Sequence, residues 1–333
     1  MSWIDRLQNW VDRLGIPYVA PYVIAGGLVG LGTFLYLGAA GAWIQPSGLR
    51  LVASSWLWIS FPLISMHLTN RLTSSAYEVF RPALDLDDDE SASLRNQLVR
   101  MPAGPLWLAC LSVAALTLAA NLILPAILET YLPDGTEHWP LALLAAGGYF
   151  VVGALIFHST TLLTKISNLY QFGARLTVLY PERTYAFSTV SSAVALSWGV
   201  LIYSSIALLP ELITNPVYSL VTAALVAVIA GTVLSWLFRV NRQLSKEKLA
   251  LRQEVIRKLQ SAYESVDREF EWGNLESMAA LRGLVQTLQD RLAFINELST
   301  WPWRPGTVAG VVSALLLPAV IVLIQEITRR VIG

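Results

Sequence analysis

"AALVAVIAGTVLSWLFRVNRQLSKE" (residues 223–247) contains the transition that decides how this chain folds. No charged residue occurs between Glu211 and Arg239, whereas from Arg239 onward charges recur every few positions. An ionised side chain at the centre of a bilayer costs about 3 kcal/mol even on the mildest insertion scale. The run before Arg239 therefore reads as a membrane-spanning helix, and the charged stretch after it as a helix standing in water.

The same contrast repeats along the chain. Of 333 residues, 55% are hydrophobic and 14% charged, with mean hydropathy +0.54, more apolar surface than one water-soluble core can hide. Charge-free gaps lie between Arg13 and Arg50, Arg50 and Arg71, Arg100 and Glu129, Glu137 and Lys165, Arg183 and Glu211, Glu211 and Arg239, and Arg304 and Glu326. Each holds the roughly 20 helical residues that cross about 30 Å of hydrocarbon. The expected fold is all-α: a polytopic membrane protein with seven transmembrane helices and a cytoplasmic helical hairpin stem.

Basic residues set the expected orientation. With the N-terminus in the cytoplasm, 20 of the 23 Lys and Arg side chains fall inside, and only Arg50, Arg329 and Arg330 fall outside. That places the C-terminus outside a cell membrane. The 19 arginines against 4 lysines, with abundant Ala and Leu, suggest a bacterial inner membrane. The formal net charge of zero argues against a nucleic-acid partner.

Four segments follow. Residues 1–16 put Trp3, Ile4, Leu7, Trp10, Val11 and Leu14 on one face, opposite Asp5, Arg6, Asp12 and Arg13, as in an interfacial amphipathic helix. Its acidic residues and lack of a cleavage pattern argue against a signal peptide. Residues 17–238 hold six spans joined by helical cytoplasmic loops. Residues 239–299 are expected to form a coiled-coil-like antiparallel hairpin or an interchain bundle: Met278, Leu281, Val285, Leu288, Leu292 and Ile295 recur at spacings of three and four, beside a looser stripe through Leu244, Leu251, Val255, Leu259, Ala262, Val266 and Phe270. Residues 300–333 hold an elbow and the last span.

At the elbow, Trp301 and Trp303 read as headgroup-level anchors, Pro302 and Pro305 stop the stem helix, and Arg304 is the last charge before hydrocarbon. The pattern Leu-Pro recurs at Leu124, Leu209 and Leu317. Pro318, unlike the other two prolines, falls halfway along its span and frees the carbonyl of Ala314. Gly310, Ala314, Pro318, Ile321 and Gln325 share one stripe and are the candidate pore-lining residues.

Other candidate chemistry is thin. His67, His138 and His158 have no ligand-type neighbour at helical spacing, and no carboxylate lies within the spans beside them, so no metal site and no cofactor are expected. The run Asp85 to Glu90 lacks the glycine and terminal glutamate of a calcium loop, and Asp88 or Asp89 reads better as a cap for a helix starting near Ser91. Cys110, the single cysteine, reads as a small packing residue. Serines in the fifth span, such as Ser191, Ser197 and Ser205, read as helix-helix glue. No hydrolase or phosphate-loop motif occurs, and no enzymatic activity is expected.

The layout resembles that of insect odorant and gustatory receptors: seven spans, a cytoplasmic N-terminus, and a last helix divided between a cytoplasmic anchor and a pore lining. Of their Thr-Tyr, five hydrophobics, Gln-Phe pattern, this chain keeps Val320 to Ile324 and Gln325, and departs at Pro318, Ala319 and Glu326. The resemblance implies a homo-oligomeric channel lined by the last span, associating through the stem and that span. A non-conducting scaffold whose stem binds a cytoplasmic protein is the alternative, and a small-solute carrier the third reading.

Overall fold

The computed structural model describes residues 1–42, 46–84, 86–124, 126–133, 136–179, 181–210, 212, 216–271, 275–301 and 303. Among them every regular element is a helix. In chain order these are α1 (Trp3–Arg13), α2 (Val19–Ala39), α3 (Pro46–Phe80), a short 3-10 turn (Arg81–Ala83), α4 (Asp88–Val99), α5 (Ala103–Ile123), α6 (Ala126–Glu129), α7 (Trp139–Leu179), α8 (Pro181–Thr184), α9 (Ser188–Leu208), α10 (Pro216–Glu271) and α11 (Leu275–Glu297).

Five stretches, Val19–Ala39, Ser47–Ala83, Asp88–Ile123, Trp139–Tyr170 and Glu182–Leu208, are long and apolar enough to cross a membrane. They coincide with the first five charge-free gaps. The sixth gap falls on the first part of α10, and the seventh lies outside the described residues.

Small residues let these helices approach closely, as apolar segments in lipid must pack by shape rather than by hydrophobic exclusion. Gly26 of α2 is pressed against α3, where a Cβ would stand 1.9 Å from Ser60 Oγ and 2.7 Å from the Trp56 carbonyl. One turn on, Gly30 meets Trp56 and Val52. Gly153 of α7 lies over Cys110, whose Cα would be 3.0 Å from an added Cβ, so the buried thiol does act as a small packing residue.

Helix ends follow local chemistry. Ser2 and Asp5 cap α1 reciprocally, and Gly15, at φ 64°, turns the chain towards Pro17 and α2. Both described Leu-Pro copies end a helix with one geometry: Leu124 (φ −125°, ψ 70°) after α5 and Leu209 (φ −127°, ψ 76°) after α9. A following proline excludes the helical region for these leucines. The α4 cap is Asp87, which accepts from Glu90 N at 2.7 Å; the helix starts at Asp88, three residues earlier than the expected Ser91.

Two of the four lysines close helix C-termini across the fold. Lys165 Nζ donates to the carbonyls of Gln97 and Arg100, both at 2.5 Å, at the end of α4. Lys248 Nζ donates to those of Asn296 (2.8 Å) and Leu298 (2.7 Å) at the end of α11. A cation there meets orphan carbonyls and the negative pole of the helix.

Helix α10 passes Arg239 without a break. Its 56 residues span about 84 Å at 1.5 Å per residue. Helix α11 returns antiparallel along it within the same chain, burying Leu288 and Ile295 with Leu244, Leu251 and Val255, while Val285 and Leu292 pack at the margin. Gln289 Nε2 donates to Tyr263 Oη at 2.9 Å across the seam.

Candidate functional site

The richest polar cluster forms where α1 meets the bundle. The buried side chains of α1 are Ile4, Asp5, Gln8 and Val11, so its docked face is turned roughly a quarter-turn from its apolar face at 3.6 residues per turn. Trp10 (54% exposed) and Leu14 remain on the outside. The helix thus presents a mixed edge to the protein, Ile4 and Val11 beside Asp5 and Gln8, and leaves Trp10 and Leu14 to its surroundings. At its start, Trp3 packs on Trp107 of α5 and Phe150 of α7, with centroids 6.5 and 5.7 Å away.

Gln8 Oε1 accepts from Asn70 Nδ2 at 2.7 Å, and Asn70 Oδ1 lies 2.9 Å from His158 Nε2 of α7. Because that oxygen only accepts, His158 must donate from Nε2, and this fixes its neutral tautomer with Nδ1 unprotonated. One turn from Asn70 along α3, His67 Nδ1 lies 2.9 Å from Tyr22 Oη, and its Nε2 lies 3.3 Å from Asp12 Oδ1. Arg71 holds the same carboxylate oxygen at 2.8 Å and covers the ring of Tyr18, which stacks on His67 at 4.6 Å. Four helices, α1, α2, α3 and α7, therefore share one hydrogen-bonded seam at the end of the bundle where α4 packs.

The expectation for the histidines concerned carboxylates within the spans; Asp12, on α1 and outside the candidate spans, reaches His67 because α1 docks on α3, a contact about which spacing along a single helix carries no information. Tyr22 hydrogen-bonds His67, whose Nε2 lies 3.3 Å from Asp12 without making a hydrogen bond. Tyr22 is only 1% exposed, so a substrate has no approach to its hydroxyl. What the cluster does chemically is hold α1 in one register. Among the described residues no three His, Cys, Asp or Glu side chains are grouped to hold a metal ion.

A second junction joins the stem to the bundle. Trp303 is 1% exposed and donates from Nε1 to Ser191 Oγ of α9 at 2.5 Å, so its indole is buried in protein, not set at a headgroup surface as expected. Trp301 is exposed and lies edge-on to Phe238 of α10, 6.2 Å between centroids. The indole-to-serine bond recurs from Trp58 to Ser205 (3.0 Å) and from Trp198 to Ser159 (3.2 Å). Ser191, Ser197 and Ser205 also donate to carbonyls four residues back, so among the described residues only Ser191 and Ser205 of the three bridge to another segment, through Trp303 and Trp58.

Of the remaining candidates, Val285, Leu288, Leu292 and Ile295 line the inner face of α11, and Met278 and Leu281 lie on the same helix. His138 is in the loop before α7. Pro302, Arg304, Pro305 and the stripe Gly310, Ala314, Pro318, Ile321 and Gln325 lie outside the described residues, as does Asp85.

The sequence pattern did not mark a further stripe on α10. Leu249, Ile256 and Tyr263, one heptad apart, are all exposed while the seam with α11 is closed. The signal was there as a strict seven-residue repeat, hidden by the stronger stripe beside it.

Comparison with protein-family models, with curated proteins and with solved structures finds no match.

Proposed function

We propose that the protein is a seven-span bacterial cell-membrane protein, N-terminus inside and C-terminus outside, that assembles as a homo-oligomer and forms a passive ion pore lined by its last span. The sixth span is the charge-free start of α10, and the seventh is the apolar run after Arg304. The supporting observation is the Trp303 junction. The stem returns to the bundle and is clamped on α9 through Ser191 just before the last apolar run begins. Stem position and last-span position are then one mechanical variable, the requirement for a stem that sets a pore.

Reconstituted protein carrying single cysteines at Gly310, Ala314, Pro318 and Gln325 tests this. Reaction with a charged thiol reagent should change ion flux at those positions and leave Leu316 and Leu323 silent. Absent flux, with equal silence on both faces, would sink the pore.

The exposed stripe Leu249, Ile256 and Tyr263 favours a second reading, in which the stem is the working part and recruits a cytoplasmic protein. A pull-down in which stem substitutions abolish partner binding, from protein that conducts nothing, would select it.

A further inference from the structure

At the end of the bundle opposite the α1 seam, α3, α5 and α7 enclose a cavity of about 250 Å³. Its walls include Trp58, Val113, Thr117, Leu144 and Val152, and among the described residues no charged side chain lines it. Leu116, on its rim, is 72% exposed, so the cavity opens through the outer face of α5, the least buried of the five apolar stretches. A ligand reaches it from the hydrocarbon phase, not from water.

Its polar content is small. Trp58 Nε1 is engaged by Ser205, Ser55 Oγ donates to the Leu51 carbonyl at 2.9 Å, and Asn121 Nδ2 donates to the Thr117 carbonyl at 2.8 Å. That last bond fixes the amide orientation, because a carbonyl only accepts. Asn121 is 9% exposed and lines the cavity, and its Oδ1 has no donor among the described residues. An amide oxygen facing an apolar void is costly, and Asn121 Oδ1 can only accept.

We propose that this cavity binds an uncharged amphiphile from the bilayer: a hydrocarbon body in the apolar volume and a hydroxyl or amide N–H donating to Asn121 Oδ1. An ionised head is disfavoured, since no described residue lining the cavity carries a charge to neutralise it. The volume, about eight waters' worth at 30 Å³ each, accommodates a short hydrocarbon segment and one polar atom.

The experiment uses full-length protein in lipid nanodiscs and three photoreactive diazirine probes: a dodecanol, the corresponding dodecane, and a phosphatidylcholine labelled on its acyl chain. Labelled peptides are mapped by mass spectrometry. The alcohol should label residues 113–121 and 144–156 in preference to the lipid-facing residues Leu108 and Leu111, and unlabelled dodecanol should compete. Asn121→Leu, close in shape, should weaken alcohol labelling about fivefold, the worth of one hydrogen bond, and leave the alkane unchanged. Ala145→Phe should fill the cavity and abolish both, with size-exclusion behaviour checking that the variant folds. Cavity labelling no stronger than at Leu108, a phospholipid signal equal to that of the alcohol, or an Asn121→Leu protein that labels like wild type would each overturn the proposal.

Discussion

Trp303 and Ser191, 112 residues apart in sequence, are joined by an indole N–H to hydroxyl bond of 2.5 Å inside the bundle. The α10–α11 hairpin is tied to the apolar bundle at both of its ends: by the unbroken α10 at one and by this bond at the other.

Cutting the second tie should be measurable. Trp303→Ala removes a fully buried indole and should cost about 3–5 kcal/mol in thermal or denaturant unfolding in detergent. Trp303→Phe keeps the ring and should cost only about 1 kcal/mol, since Ser191 Oγ retains its bond to the Phe187 carbonyl. Equal losses would mean the hydrogen bond, not the packing, holds the junction.

The close approach of α2 and α3 predicts a sharp contrast between adjacent glycines. Gly26→Ala drives a methyl into Ser60 Oγ and the Trp56 carbonyl and should destabilise by about 1–3 kcal/mol. Gly27→Ala, with open space around it, should be neutral or stabilise by up to about 1 kcal/mol through helix propensity. The melting temperatures of the two variants check this directly.

The α1 seam should behave as a unit. Asn70→Leu strands both the Gln8 amide and His158 Nε2, and should cost about 1–3 kcal/mol while exposing residues 1–16 to protease. A double-mutant cycle between Gln8→Ala and Asn70→Ala should return a coupling of about 1 kcal/mol. Zero coupling would mean the Gln8–Asn70 bond does not hold α1, leaving its apolar contacts and Asp12 to do so.

In the stem, the two stripes should separate folding from association. Leu288→Asp places a charge between α10 and α11 of one chain and should open the hairpin, seen as lost helicity. Leu249→Asp with Ile256→Asp touches only the exposed stripe. It should preserve helicity and lower the assembly mass by light scattering. An unchanged mass would remove that face from the oligomer interface.

Much of the architecture was legible because its determinants are local. Desolvating a charge costs the same wherever the chain goes, so Arg13, Arg50, Arg100 and Arg183 mark apolar stretches that the structure keeps as helices. The hairpin stripe from Leu281 to Ile295 was readable for a related reason, since helical periodicity alone places those residues on one face. The error at the α4 cap, Asp87 for Asp88 or Asp89, is a choice among adjacent residues with the same side chain.

The site was not legible in the same way. A helical wheel sorts Asp5, Gln8 and Asp12 to the wet side of α1, yet Asp5 and Gln8 are buried, because Asn70 supplies a partner for Gln8 that water would otherwise have been. Trp303 likewise has the composition of an interface anchor and becomes a buried donor only because Ser191 is there to receive it. The sequence by itself determined which segments avoid water and where helices begin and end, since those follow from transfer free energies and backbone sterics of neighbouring residues. Only the tertiary structure decided which polar groups meet across the fold, from His67 and Asp12 to Asn121 facing a cavity, because a hydrogen bond depends on the position of a partner whose distance along the chain carries no energy of its own.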